Sequence, residues 1–270
     1  GTGFVYGAAA TLVFNTTGNY GVNNDAYWPA TNGPVNVTVQ NTGGITMNVA
    51  RTVTGLCQTS AGIANANNLT FDGTFQLNAG GYVSGAGRPV YGPASLLKYN
   101  TGGTYGRGNE WYCSGGAGCP NDLQISNNTV LNVANGTSFV NGQIQGNLTI
   151  DAGSAMYMDY GGAGQNNVVE VYKDVVLNGS LSLGDAVGGD LHVRGNWTKA
   201  VAATFTPNGR AVFFNGPSGD QTITGTTTFD YLVLNKAAGN LLLASPISLN
   251  QTLTLTNGKV VLGANDLSVL

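Results

Sequence analysis

Apolar residues recur two positions apart in short segments along nearly the whole chain. Representative pairs are Leu148 with Ile150 and Leu232 with Leu234. This period predicts β-strands with one buried face, whereas the 3.6-residue period of amphipathic helices is nearly absent. Gly, Asn or Asp separates most of the pairs, as in Asn178-Gly179, and these residues favour tight corners. The pattern therefore predicts an all-β chain of many short strands.

One long block of sequence occurs twice. Residues 6–20, Tyr-Gly-Ala-Ala-Ala-Thr-Leu-Val-Phe-Asn-Thr-Thr-Gly-Asn-Tyr, return without a gap as residues 91–105, Tyr-Gly-Pro-Ala-Ser-Leu-Leu-Lys-Tyr-Asn-Thr-Gly-Gly-Thr-Tyr. Both copies then pass through an acidic residue, a Trp and a Pro, which are Asp25, Trp28 and Pro34 in the first and Glu110, Trp111 and Pro120 in the second. A unit that recurs in fixed order predicts a repetitive, elongated architecture.

Two architectures fit short strands with tight corners: antiparallel sandwiches and parallel coils. The segment Asn147-Leu-Thr-Ile150 has echoes that begin at Asn68, Asp190 and Tyr231. Several echoes are about 20 to 25 residues apart, the length of one three-strand turn of a solenoid. We therefore predict a right-handed parallel β-helix (β-solenoid), with tandem β-sandwich repeats as the alternative. The residues expected to point inward are Leu69, Phe71, Leu148, Ile150, Leu181, Leu183, Leu191, Val193, Leu232, Leu234, Leu253 and Leu255.

No linker divides the chain clearly. We predict one continuous solenoid segment over residues 1–270, with internal repeats at 6–55 and 91–140 and a softer subdivision near 200. Neither terminus resembles a capping repeat, so we expect a segment of a longer chain that stacks on neighbouring repeats or end-to-end on copies of itself.

The composition is unusually poor in charge. Charged residues make up 9 % of the sequence and Gly 42 of its 270 residues, against roughly 25 % and 7 % in ordinary domains. Asn and Thr suit a stacked sheet, because they hydrogen-bond where like charges would repel. A net charge of −3 argues against a nucleic-acid partner. No run of about 18 apolar residues predicts a membrane span, and no signal peptide is recognisable.

The cysteines suggest one cross-link. Cys113 and Cys119 bracket a Gly-rich stretch, and a disulfide between them is the natural expectation, which fits an oxidising, extracellular setting. They are too few for a structural zinc site. Cys57 has no evident partner and is expected to be a buried small hydrophobe.

The single histidine lies in an alternating charged segment. Asp190, His192 and Arg194 share one strand face, where they form either an acid/base site or a solvated row of complementary charges. The second interpretation is the more common one for such a row. No nucleophile-elbow motif accompanies the histidine, so no catalytic residue is assigned.

A second candidate surface combines tyrosines with acids. Tyr157, Tyr160 and Tyr172 lie near several carboxylates in neighbouring turns, namely Asp151, Asp159, Glu170 and Asp174. They form either a sugar-binding face or ordinary surface aromatics. We carry Tyr157, Tyr160, Tyr172, Asp190, His192 and Arg194 forward as one candidate binding face. Because no calcium motif is present, no metal or cofactor is expected.

The sequence from Gly189 onward resembles a known repeat class. Five segments carry the resemblance: Gly189-Asp-Leu-His-Val-Arg-Gly-Asn-Trp-Thr198, Phe213-Phe-Asn-Gly216, Gln221-Thr-Ile-Thr-Gly225, Phe229-Asp-Tyr-Leu-Val-Leu-Asn235 and Leu253-Thr-Leu-Thr-Asn-Gly258. They are similar to repeats of large cell-surface adhesin-like proteins of Bacteroidota, which are substrates of the type IX secretion system. The earlier repeats resemble another class from the same proteins. The C-terminal secretion signal of that family is not found in this sequence.

The resemblance implies a function without catalysis. We expect a secreted, extracellular cell-surface segment that is structural or adhesive: a stalk, an adhesin or an extracellular filament. Its expected partners are the secretion machinery, neighbouring repeats and a surface glycan or protein receptor. A carbohydrate-active β-helix, such as a polysaccharide lyase, is the alternative.

Overall fold

The computed structural model describes residues 4–113, 116–134, 142–161 and 164–270, and over these ranges the chain is a parallel β-helix. Each strand pairs in parallel with the strand one turn before it, with the strand one turn after it, or with both. The predicted parallel β-helix is thus confirmed over the sandwich alternative, which needs antiparallel hairpins. Its right-handed sense remains the expectation from the general handedness of parallel crossovers.

The first face is a twelve-stranded sheet that extends along the whole described solenoid. One rung, meaning one turn of the solenoid, is from 18 residues (Cys57 to Phe75) to 27 residues (Leu148 to Val175) long. The first-face strands, in sheet order, are β1 (Thr11–Asn15), β3 (Asn36–Gln40), β6 (Leu56–Thr59), β9 (Thr74–Asn78), β12 (Leu96–Asn100), β14 (Asp122–Ile125), β17 (Leu148–Ile150), β20 (Val175–Leu177), β23 (Trp197–Lys199), β26 (Gln221–Thr224), β28 (Leu241–Leu243) and β30 (Val260–Val261).

In the rungs that begin with β1 to β23, the second strand belongs to the second face, which consists of two separate sheets. The four-stranded sheet contains β2 (Tyr20–Val22), β4 (Ile45–Met47), β7 (Gly62–Ala64) and β10 (Tyr82–Ser84). The five-stranded sheet contains β13 (Thr104–Gly106), β15 (Val130–Asn132), β18 (Ala155–Tyr157), β21 (Ser180–Ser182) and β24 (Thr204–Thr206).

The third face is also divided into two sheets. The three-stranded sheet contains β5 (Arg51–Val53), β8 (Leu69–Phe71) and β11 (Val90–Tyr91). The seven-stranded sheet contains β16 (Gly142–Ile144), β19 (Val169–Val171), β22 (Leu191–Val193), β25 (Ala211–Phe214), β27 (Thr227–Asn235), β29 (Ile247–Asn257) and β31 (Leu267–Val269). Two single-turn 3₁₀ helices complete the described elements, at Ala66–Asn68 and Asn109–Trp111. None of the described helices is long and apolar enough to cross a membrane.

The interior is a continuous column of aliphatic and aromatic side chains. Ten of the twelve residues predicted to point inward are buried, namely Leu69, Phe71, Leu148, Ile150, Leu181, Leu183, Leu191, Val193, Leu232 and Leu234. Leu253 is only partly buried, and the prediction for Leu255 is wrong, because its side chain is 53 % exposed. Leu255 pairs with Leu234 on one side, whereas β31 covers only the Ile247–Leu249 part of β29.

Asn and Asp side chains bond successive rungs at the corner that precedes the first face. The Asp122 carboxylate accepts the backbone N–H of Asn147 at 2.6 Å, and the Asn147 amide oxygen accepts the N–H of Asp174 at 3.1 Å. Asp174 in turn accepts the N–H of Asn196 at 2.7 Å. This use of side-chain acceptors explains why a chain so poor in ion pairs is rich in Asn.

Among the described residues, the second and third faces are interrupted where the second repeat begins, while the first face continues. The second face breaks between β10 and β13, and the third face between β11 and β16. Across this break, which we call the junction, β9 and β12 still pair over five residues of the first face. The junction lies at the predicted start of the second repeat near residue 91. Residues 114–115 and 135–140 of that repeat lie outside the described residues, and the subdivision near 200 stays a prediction.

Candidate functional site

The third face carries a small charged cluster centred on His192. Its outer column contains Glu170 and His192, which are register partners on β19 and β22. The Arg194 guanidinium lies 3.5 Å from the Glu170 carboxylate and 3.8 Å from the centre of the Tyr172 ring. The predicted alternation is confirmed, since Leu191, between Asp190 and His192, points inward. These groups therefore form a row of complementary charge along the solenoid axis.

His192 is held within that row. Its ring stacks on Phe213 of the next rung, with 4.3 Å between centroids and 19° between planes. Its Nδ1 lies 3.1 Å from the amide nitrogen of Asn215, which makes Nδ1 the acceptor in the neutral imidazole. Burial lowers the pKa of His192, although Glu170 and Asp190 oppose that shift. The imidazole is thus neutral near pH 7, and one ring face is covered by Phe213.

Asp190 is engaged by the backbone and not by His192. Its carboxylate accepts the N–H of Ala211 at 2.8 Å, the same rung-to-rung contact that Asp174 makes. Two further candidate acids are also engaged: Asp151 accepts from the Gln124 amide at 2.8 Å and Asp159 accepts from the Ser182 hydroxyl at 2.9 Å. These carboxylates stabilise the ladder and do not converge on a shared point.

The candidate face from the sequence divides between two sides of the solenoid. Tyr172 lies next to Arg194 beside the third-face strands, as expected. Tyr157, however, belongs to β18 of the second face, and Tyr160, 49 % exposed, follows it in the next turn. The tyrosines therefore do not form one continuous sugar-stacking surface.

Each repeat carries a loop at the place of a third-face strand. The first loop, residues 23–35, connects β2 to β3, and the second loop, residues 107–121, connects β13 to β14. The described residues of the second loop bond to both sides of the junction. Gly118 donates its N–H to the Pro89 carbonyl at 2.8 Å, and the Trp111 indole donates to the Gln143 carbonyl at 3.1 Å.

Glu110 is the principal feature that sequence reasoning missed. Its side chain is completely buried, and its carboxylate accepts the Tyr99 hydroxyl at 3.1 Å and the Gly108 N–H at 2.6 Å. Burial raises the pKa of Glu110, although these hydrogen bonds and the nearby Arg107 guanidinium oppose the shift. In the sequence, Glu110 was noted only as the acidic residue that follows the repeated block. The signal for its burial was Tyr99, which replaces Phe14 of the first repeat and can donate a hydrogen bond to a buried carboxylate.

The first loop borders a small cavity instead of a buried acid. The cavity has a volume of about 50 Å³, and its lining includes Tyr20, Asn23, Tyr27 and Trp28. This is room for water or for a small polar group. The acid of this repeat, Asp25, turns outward and pairs with Arg51.

The cysteines are free thiols in the structure, so the expected disulfide stays a prediction. The Cys113 thiol nevertheless lies 3.6 Å from the carbonyl oxygen of Gly118, the residue directly before Cys119. Cys57 is buried in the first face, as expected, and burial raises its pKa to about 12.

Within the described ranges, no group of three or more His, Cys, Asp or Glu side chains is placed to hold a metal ion. Compared with known proteins, the chain matches no family model, no curated protein and no solved structure.

Proposed function

We propose that this chain is a non-enzymatic structural or adhesive segment of a secreted, extracellular cell-surface protein: a stalk, an adhesin or part of a filament. The observation that carries the proposal is the unbroken twelve-stranded first face. A parallel ladder of this kind is a quasi-one-dimensional rod, and rods act as spacers and extended surfaces. At a strand spacing of about 4.8 Å, the rod is roughly 50 Å long.

The use of the ionisable residues favours a passive role. Asp190 and Asp174 accept backbone N–H groups of the next rung. The Arg194 guanidinium contacts both the Glu170 carboxylate and the Tyr172 ring. Catalytic acids and bases need free, convergent groups with tuned pKa values. The cell-surface setting rests on the resemblance of residues 189–258 to adhesin-like repeats.

Association through the rod ends belongs to the same proposal. The final rungs expose Leu255, Val261 and Val269, and β30 and β31 each pair on one side only. Stacking of a further rung, from neighbouring repeats or from a second copy, would cover these side chains and pair the free strand edges. Sedimentation over a concentration series tests self-association: the proposal expects mass to grow with concentration in steps of one chain. A single monomeric species at every concentration contradicts end-to-end stacking.

The alternative is a carbohydrate-active β-helix, and the observation that favours it is the partly exposed row of Glu170, His192 and Arg194. Incubation with a panel of acidic and neutral polysaccharides, followed by ultraviolet absorbance and reducing-end assays, separates the two functions. Our proposal expects no turnover. Turnover that is lost in both Asp190→Asn and His192→Ala, while Tyr157→Phe on the second face retains it, would establish the enzyme instead.

A further inference from the structure

Two cysteines lie inside the second loop. The Cys113 thiol lies 3.6 Å from the carbonyl oxygen of Gly118, the residue directly before Cys119, and it donates to the Gln143 carbonyl at 3.2 Å. Cys119 is 9 % exposed and Cys113 is partly buried. The sequence predicted a disulfide from the spacing of six positions alone, whereas the structure places the Cys113 thiol beside the backbone that leads into Cys119.

The loop around these thiols is anchored on opposite sides of the junction. Cys113 contacts Gln143 on β16, the first strand of the seven-stranded sheet. Gly118, directly before Cys119, bonds to Pro89, directly before β11 of the three-stranded sheet. A covalent bond between the two cysteines would therefore connect the attachment points of two sheets that share no hydrogen-bonded strand.

We propose that Cys113 and Cys119 form an oxidation site whose disulfide clamps the junction of the solenoid. In the reaction both S–H bonds break and one Sγ–Sγ bond forms, releasing two protons and two electrons. An oxidised low-molecular-weight disulfide, such as glutathione disulfide, accepts both and becomes two thiols. This disulfide would act within the solenoid, so the proposal does not depend on whether the chain binds a receptor or forms a filament.

The surroundings of the thiols set when the bond forms. The Cys119 thiol and burial raise the pKa of Cys113, so little of the attacking thiolate is present in the folded chain. Oxidation of the folded, reduced protein is then slow, and the bond forms mainly while the chain folds. Once formed, it restricts the unfolded chain and opposes opening of the second loop.

The test measures the thiol–disulfide equilibrium of the intact chain in glutathione buffers, with and without urea. Samples are quenched with acid, alkylated after denaturation and analysed by peptide mass spectrometry. We expect a Cys113–Cys119 bond whose equilibrium constant is roughly tenfold larger in the folded chain than in urea. Cys57→Ala is the matched control and should keep this bond, whereas Cys119→Ser should leave Cys113 fully alkylated.

Hydrogen exchange gives a second, structural result. In the oxidised chain the Gly118 N–H should exchange more slowly than in the reduced chain, because the clamp holds its bond to Pro89 closed. An equal or smaller equilibrium constant in the folded chain, or a disulfide that involves Cys57, overturns the oxidation site. A native disulfide that leaves exchange at Gly118 unchanged overturns the clamp.

Discussion

The first and second loops belong to the same sequence repeat, yet they place their acidic residue in opposite environments. The Asp25 side chain is 65 % exposed and lies 2.5 Å from the Arg51 guanidinium. Glu110, the corresponding residue, is completely buried. Both loops nevertheless bury a tryptophan, Trp28 in the first and Trp111 in the second. The shared repeat sequence therefore determines that a tryptophan of the loop is buried, whereas the neighbouring residues determine whether the acidic side chain is buried or exposed.

One substitution between the repeats accounts for much of this difference. The rings of Phe14 and Tyr20 lie 5.3 Å apart in the first repeat, and the corresponding Tyr99 and Tyr105 rings lie 5.5 Å apart in the second. The aromatic pair is the same in both. Only Tyr99 adds a hydroxyl, and this hydroxyl donates to Glu110. A buried carboxylate needs such donors, and Phe14 has none to offer.

Replacing the two tryptophans should give the largest difference in the free energy of unfolding between the two loops. Trp111→Ala should lower the free energy of unfolding by about 3–5 kcal/mol, because it empties a buried site and leaves the Gln143 carbonyl without the indole donor. Trp28→Ala should cost less, because Trp28 already borders a cavity. Urea denaturation of both variants measures the difference, and equal losses would contradict the comparison.

A reciprocal exchange of hydroxyl groups isolates the tyrosine. Tyr99→Phe removes a donor to a buried carboxylate and should cost about 1–3 kcal/mol in the free energy of unfolding. Phe14→Tyr adds a hydroxyl beside the cavity of the first loop and should change stability by less than about 1 kcal/mol. Thermal and urea unfolding measure both variants. A larger effect of Phe14→Tyr than of Tyr99→Phe would refute this explanation of the two acid positions.

Removing the buried charge should stabilise the chain at neutral pH. Burial raises the pKa of Glu110 in the folded state, so the folded chain binds this proton more tightly than the unfolded chain does. The stability gained from this tighter proton binding is complete below the pKa that Glu110 has in the unfolded chain. It is lost as the pH rises through the higher pKa of Glu110 in the folded chain. Glu110→Gln should therefore unfold at a higher temperature than the parent at pH 7, with the gain shrinking towards pH 4.

The matched change in the first loop controls for the general effect of losing a carboxylate. Asp25→Asn should show the same dependence of unfolding temperature on pH as the parent chain, because Glu110 is unchanged in it. A Glu110→Gln variant that is less stable than the parent at pH 7 would mean that the ionised carboxylate is favoured by Tyr99, Gly108 and Arg107 more than burial disfavours it.

The smallest effect is expected at the exposed ion pair. Asp25→Asn removes a pair whose carboxylate is largely in water, so it should cost no more than about 1 kcal/mol, and less at high salt. Arg51 keeps its hydrogen bond to the Trp28 carbonyl in this variant. Denaturation at low and high ionic strength checks the value. A loss that is large and independent of salt would show that Asp25 orders the first loop.

The sequence predicted the local structure because the relevant signals are local. Alternation placed Leu148 and Ile150 in the interior, and Asn at the corners agrees with the positive φ of Asn65 and Asn208. Leu255 failed because its burial depends on a covering rung and not on its own alternation.

The candidate site was predicted less well because it depends on which rungs stack and on which face each strand lies. Tyr157 and Tyr172 are 15 residues apart, and the turn between them places them on different faces. The burial of Glu110 and the junction likewise depend on contacts between rungs, which period-two alternation does not encode.

Amide hydrogen exchange on the intact chain tests the central claim most directly. If one continuous first-face ladder supports a passive rod, strands from β3 to β28 should be protected as a block, including β9 and β12 across the junction. The loops and the edge strands β1 and β30 should exchange faster. Rapid exchange at residues 74–100 between two protected halves would contradict a continuous rod and would show instead two units joined by an open hinge.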